Sequence, residues 1–196
     1  ENGEKSVFAG MMTRLDKQSK YDEVTGLPTK NEFYSADISG FNGTIMLLGI
    51  DKFKRVINDF GYRYSEELLA KIVKKLCNML KSEQKVYYFL NDKFIIILPN
   101  YSKKQTFELF DNIKSMAKYV ETIDGNIIDF SVSASAIELI DNTLDNDSII
   151  DRLDMTLTYV KSNDRGNIRF YSETIEGKQL RLETVKKELN ESINNN

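Results

Sequence analysis

The segment Lys85-Val-Tyr-Tyr-Phe-Leu-Asn-Asp-Lys-Phe-Ile-Ile-Ile-Leu98 decides the fold. Two apolar, β-rich runs, Lys85–Leu90 and Lys93–Leu98, flank the two-residue loop Asn91-Asp92, which predicts a hairpin. Pro99 ends the second run, because a proline cannot donate to a ladder. A hairpin in mid-chain argues against an all-parallel, doubly wound sheet, whose strands need long crossovers.

Working upstream, Thr44–Ile50 is a continuous apolar run of strand length, the pattern of a strand covered on both faces. Phe53, Val56 and Ile57 open a helical stretch. Ser65–Leu80 is a stronger one, with Leu68, Leu69, Ile72, Val73, Leu76 and Leu80 on one face. Downstream, Phe107, Phe110, Ile113, Met116, Ala117 and Val120 mark a helix, and Ile127–Leu139 reads as one strand. Ile149–Val160 predicts a helix and Asn167–Phe170 a last strand. The order β-α-ββ-α-β-α-β predicts an α+β sandwich around a mostly antiparallel central sheet.

At the ends, Val7, Phe8, Met11, Met12 and Leu15 recur at helical spacing, Thr25-Gly-Leu-Pro28 is a turn, and Lys30–Ala36 is a short helix. Leu182, Val185, Leu189 and Ile193 give the polar stretch Leu180–Ile193 a helical period, and the tail Asn194–Asn196 is low in complexity. The division expected is a linker helix over 1–20, one domain over 21–172 and a second linker helix over 173–196.

The 196 residues suit one α/β domain of about 150–170 residues with helical extensions. Hydrophobic residues make up 41% and charged residues 29%, and the net charge of −3 argues against a nucleic-acid surface. Histidine is absent, which removes the commonest general base and zinc ligand. The one cysteine, Cys77, sits in an apolar helical pattern and is expected to be buried, the alternative being a reactive thiol. No apolar run reaches the roughly 18 residues of a membrane span. With no signal peptide and no initiating methionine, the chain reads as a cytoplasmic piece of something longer.

Four blocks over about residues 20–172 together resemble the GGDEF family, the diguanylate cyclase domains of bacteria. Asp22-Glu-Val-Thr-Gly-Leu-Pro28 is similar to D-x-L-T-G-L-P, and Leu48-Gly-Ile-Asp-Lys-Phe-Lys54, with Asp59, Gly61 and Leu69, to D-x-D-x-F-K-x-x-N-D. Tyr88-Phe-Leu-Asn-Asp-Lys-Phe94 sits where R-x-G-G-D-E-F belongs, and Leu153-Asp154 with Lys161-Ser-Asn-Asp-Arg165 is similar to A-D followed by K-x-x-G-R. The resemblance implies a nucleotide-cyclase-like fold with a ferredoxin-like core, a five-stranded sheet, and the signature motif on the hairpin. It also implies metal-assisted joining of two GTP molecules across a dimer, with magnesium held by the first Asp of D-x-D and by the acidic pair of the hairpin.

The chain departs from that pattern where the metal would bind. Gly49 stands at the first Asp, and Lys93 replaces the second acid of the hairpin, leaving Asp92. An ammonium about 4 Å from a dication is repelled by several kcal/mol at an effective dielectric near 20. Asp51 is a candidate substitute ligand from the same strand face. Leu90 and Asn91 replace the two glycines, which narrows the approach to a ligand, although Asn91 tolerates left-handed geometry.

In the nucleotide site, the family's guanine-reading Asn aligns with Ile57, with Asn58 one place late, and its guanine-reading Asp aligns with Glu66. Glu66 reads equally as a first-turn acid complementing the helix dipole. Lys54, Lys161 and Arg165 match triphosphate-contacting positions, or are solvated surface cations. The sharper expectation is a metal-free nucleotide site with Lys93 partly supplying the magnesium charge. Lys81-Ser-Glu-Gln84, where the family's product-inhibition motif R-x-x-D belongs, reads as a polar connector.

The expected function is therefore a catalytically impaired GGDEF domain acting as a regulatory, signal-transmitting module that binds GTP. Catalytic residues are reduced to the remnant Asp92, and no cofactor is required, magnesium binding weakly at most. The alternatives are a weakly active diguanylate cyclase using Asp51 and Asp92 for metal, and a ligand-free dimerisation module. The partners implied are a second copy, an upstream sensor and a downstream EAL-type domain, with neither nucleic acid nor membrane contacted by this segment.

Overall fold

In the computed structural model, residues 19–118, 120–121, 127–128 and 130–194 are described. The amphipathic segment containing Val7, Phe8, Met11, Met12 and Leu15 lies outside them. The elements are α1 (Lys30–Tyr34), β1 (Gly43–Ile50), α2 (Phe53–Phe60), α3 (Tyr62–Met79), β2 (Lys85–Leu90), β3 (Lys93–Pro99), α4 (Lys103–Ala117), β4 (Val120–Glu121), β5 (Ile127–Ile128), β6 (Val132–Leu139), α5 (Asn146–Asn163), β7 (Ile168–Phe170) and α6 (Glu173–Asn194). Five strands form one sheet in the order β2-β3-β1-β6-β7, antiparallel except for the β6–β7 pair.

The central strand explains the layers. All eight residues of β1 are buried. Because side chains alternate across a strand, Met46, Leu48 and Ile50 pack with Leu68, Ile72, Leu76 and Phe110 of α3 and α4. Ile45 and Leu47 pack on the other face with Phe33, Ile149, Leu153 and Leu157 of α1 and α5. Gly49 and Lys93 are opposite each other in the β1–β3 register and share that second face with Ile95 and Ile97. The Asn146 amide ties α1 to α5 by donating to the carbonyls of Phe33, Tyr34 and Ala36.

The hairpin forms as its sequence predicts, with Asn91 at φ 52° and a bulge between Tyr88 and Leu90. Gly61, at φ 83°, separates α2 from α3 where a side chain would be strained. Three expectations change. Ile127–Leu139 is not one strand: β5 pairs with β4 in a separate ribbon, and β6 begins only at Val132. Val120 does not extend α4, which ends at Ala117, but belongs to β4, while α6 packs on α5. Cys77 is exposed, because the buried stripe of α3 runs through Ile72, Val73 and Leu76 and turns past it. Partial desolvation still pushes its thiol pKa upward, which keeps it protonated and poorly reactive.

Candidate functional site

The carboxyl end of β1, the turn of the β2–β3 hairpin and the last turns of α5 meet at one edge of the sheet. Asp154, Leu157 and Lys161 follow one another along one face of α5. Lys161 Nζ lies 2.6 Å from Asp92 Oδ2 and donates to the Ile50 carbonyl at 3.2 Å. Its neighbour Lys93 does not face Asp92; it lies 2.5 Å from Asp154 Oδ1. Two ion pairs thus join the hairpin to α5, Asp92 with Lys161 and Lys93 with Asp154. Lys93 thus supplies its charge to Asp154 and not to Asp92.

Gly49 gives Lys161 its space. A Cβ at position 49 would lie 2.7 Å from Lys161 Nζ, 2.8 Å from its Cε and 3.3 Å from Leu157 Cδ2. Asp51 is engaged elsewhere. Its carboxylate is buried and accepts from Ser131 Oγ at 2.7 Å and Ser133 Oγ at 2.8 Å. Arg165 Nε stands 4.0 Å from the same carboxylate, while the guanidinium donates to the Lys161 carbonyl through Nε at 3.1 Å and Nη2 at 2.8 Å.

These donors do not fit a divalent cation. Magnesium takes hard oxygens in octahedral geometry. Here position 49 offers none, Asp92 faces an ammonium, and both Asp51 oxygens hold serine hydroxyls. Among the described residues, no three Asp, Glu, His or Cys side chains converge as a ligand group.

A cavity of about 150 Å³ opens between the hairpin turn and the α2–α3 junction, lined by Asp22, Ile57, Ser65, Glu66, Tyr88 and Asn91 among others. Glu66 is exposed at its rim, and Ile57 presents hydrocarbon. Asn58 is exposed and does not line it, since a one-residue offset turns a helical side chain about 100° away. Leu90 points to solvent rather than into the cavity, so Asn91 alone narrows this side. Tyr88 Oη donates to the Asn91 carbonyl at 3.3 Å. Burial, reinforced by the negative charge of Asp22, raises the Tyr88 pKa and keeps the phenol neutral. Arg165 instead lines a second hollow of about 570 Å³ with Asp51, Lys52, Arg55 and Asp59. Lys54 is exposed and lines neither space. The structure therefore gathers Gly49, Asp51, Asp92, Lys161 and Arg165 at one edge and places Glu66 at the cavity, while Lys54 and Asn58 stand apart.

Sequence reasoning did not single out Tyr88, Ser131 or Ser133. The alternation Ser131-Val-Ser133-Ala-Ser135 is the available signal: small hydroxyls every second residue put a polar row on one face of a buried strand. Gln84 accepts from the Lys81 backbone N–H at 2.9 Å, closing the turn before β2. No helix among the described residues is long and apolar enough to cross a membrane.

Residues 19–167 match the family model described as "Diguanylate cyclase, GGDEF domain". The chain is 24% identical over 152 residues to the diguanylate cyclase DosC of Escherichia coli K12, covering 76% of this chain and 33% of that protein. It thus spans about a third of the length of the curated relatives it matches. Among solved structures, the GGDEF domain of TpbB (YfiN) from Pseudomonas aeruginosa superposes with a TM-score of 0.70 at 18% identity, covering 80% of this chain and 96% of that one. The GGDEF domain of DgcB from Caulobacter crescentus, solved in complex with c-di-GMP, gives 0.68 at 15% identity, covering 79% and 96%.

Proposed function

The chain belongs to the GGDEF family of cyclic di-GMP signalling, and from that premise we propose that it is a catalytically impaired member, a regulatory module that passes a signal to neighbouring domains rather than making the dinucleotide. The observation that carries this reading is the Asp92–Lys161 ion pair beside the bare Gly49. The family's reaction needs a dication to neutralise the phosphates and activate the attacking hydroxyl. The carboxylate left for that dication is paired with an ammonium, and the Asp51 alternative is tied to two hydroxyls. A low-efficiency cyclase would have to break both arrangements before its metal could bind.

GTP remains a candidate signal. The small cavity suits a ring rather than a whole nucleotide, and Glu66 offers the carboxylate that a guanine edge requires. Ile57 cannot replace an amide, so recognition is weaker than a complete pocket would give. With Lys161 paired to Asp92 and Lys54 standing apart, Arg165 is left to meet a phosphate. The module's setting in this reading is the cytoplasm, between an upstream sensor and a downstream EAL-type domain, with a second copy as dimer partner. Titration calorimetry with GTP, with and without magnesium, tests the nucleotide part. Equal binding in both conditions supports it, and absence of heat in both leaves a ligand-free dimerisation module.

A further inference from the structure

We infer that the Lys161 ammonium is a built-in substitute for the divalent cation, a tethered counter-ion that satisfies Asp92 and makes this edge of the fold metal-independent. The inference rests on the reading of an impaired site and adds to it what occupies that site and why position 49 is glycine.

Two kinds of contact support it. The ammonium sits between oxygens of the type a hard cation chooses, a carboxylate at 2.6 Å and a backbone carbonyl at 3.2 Å. It can do so because position 49 has no side chain: a Cβ there would fall 2.7 Å from Nζ. The glycine and the lysine therefore act together, since a Cβ at 49 requires the ammonium to shift from the place it holds beside Asp92. The pair is well shielded, with Lys161 and Asp92 side chains 24% and 19% exposed, so solvent screens it less than a surface pair. The guanidinium of Arg165 holds the Lys161 carbonyl at the end of α5, which fixes the point from which the side chain reaches in. A metal ion that approaches Asp92 meets a cation that is covalently attached and therefore always present.

The test compares wild type, Lys161→Met and the double variant Gly49→Asp with Lys161→Met, without nucleotide. Melting temperatures are read in EDTA and in millimolar MgCl2 or MnCl2, and Mn2+ uptake by electron paramagnetic resonance. Wild type is expected to melt at the same temperature in all three solutions and to leave Mn2+ free. Lys161→Met is expected to melt several degrees lower in EDTA and to recover part of the loss with Mn2+. The double variant should bind Mn2+ at least tenfold more tightly than wild type. If Lys161→Met does not fold, Gly49→Ala reads the same contact and is expected to lower the melting temperature. Wild-type uptake of Mn2+ matching the double variant overturns the inference, as does an unchanged melting temperature in either single variant. Those results leave the impaired reading standing, since only formation of cyclic di-GMP removes that.

Discussion

Ser133→Ala is the substitution whose cost follows most fully from the structure. Ser133 lies near the start of β6, opposite Gly49 in the β1–β6 register, with its side chain wholly buried. Its hydroxyl donates to Asp51 Oδ1 at 2.8 Å and accepts from the Gly166 N–H at 3.0 Å. Removing the hydroxyl deprives a buried carboxylate of one of its two serine donors, and a hydrogen bond to a charged group is worth about 1.5–3 kcal/mol. It also strips the Gly166 N–H of its acceptor, for about 1–3 kcal/mol more. Gly166 is only half-buried and water offsets part of this second loss, so the total is about 3 kcal/mol. In a domain of this size that lowers Tm by about 6–12 °C. Urea denaturation followed by circular dichroism measures it, with Ser115→Ala as control. Ser115 is exposed and its hydroxyl bonds only the Asp111 carbonyl, so its loss should change stability by about 0.5 kcal/mol or less. Matching midpoints for the two variants would refute the claim that Asp51 is a structural carboxylate committed to its serines.

Two further predictions follow from local chemistry. Ser102→Ala removes the hydroxyl of the capping box that starts α4 and is expected to cost about 1 kcal/mol in urea unfolding. The carboxyls of Asp164, hydrogen-bonded by Asn167 and then Arg169, and of Asp145, which caps Ser148, have pKa values below the ordinary 3.8. Depressed folded-state values add stability that is present above the unfolded value and lost as pH falls through the folded one. Acid unfolding of Asp145→Asn should therefore be less steep than that of wild type, read as the urea midpoint against pH.

The hairpin, the doubly covered central strand and the α3 face were legible in the sequence because each rests on a local signal: a two-residue turn, an unbroken apolar run, a helical period. Where several strands compete for partners, that signal fails. Ile127–Leu139 alternates small and apolar residues with no turn signal to divide it, but its first residues pair with β4 while Val132 onward joins β1, a choice made by tertiary contacts. At the site, the residue types at positions 49, 92 and 93 showed that the usual ligands are incomplete. They did not show which lysine would answer Asp92. Lys93 is adjacent in sequence, but strand alternation aims it at Asp154. Lys161 is remote in sequence, but helical spacing from Leu157 brings it over Gly49. Partner choice of this kind depends on how α5 crosses the sheet, which no single segment encodes.

The central claim is that chemistry fails at the metal. The most direct measurement incubates the purified protein with GTP and either MgCl2 or MnCl2, at concentrations that allow dimers, and separates products by chromatography. The account predicts no cyclic di-GMP above the protein-free background with either metal. Steady accumulation of cyclic di-GMP that disappears in Asp92→Asn would contradict it, because Asp92 would then be holding a metal rather than the ammonium of Lys161.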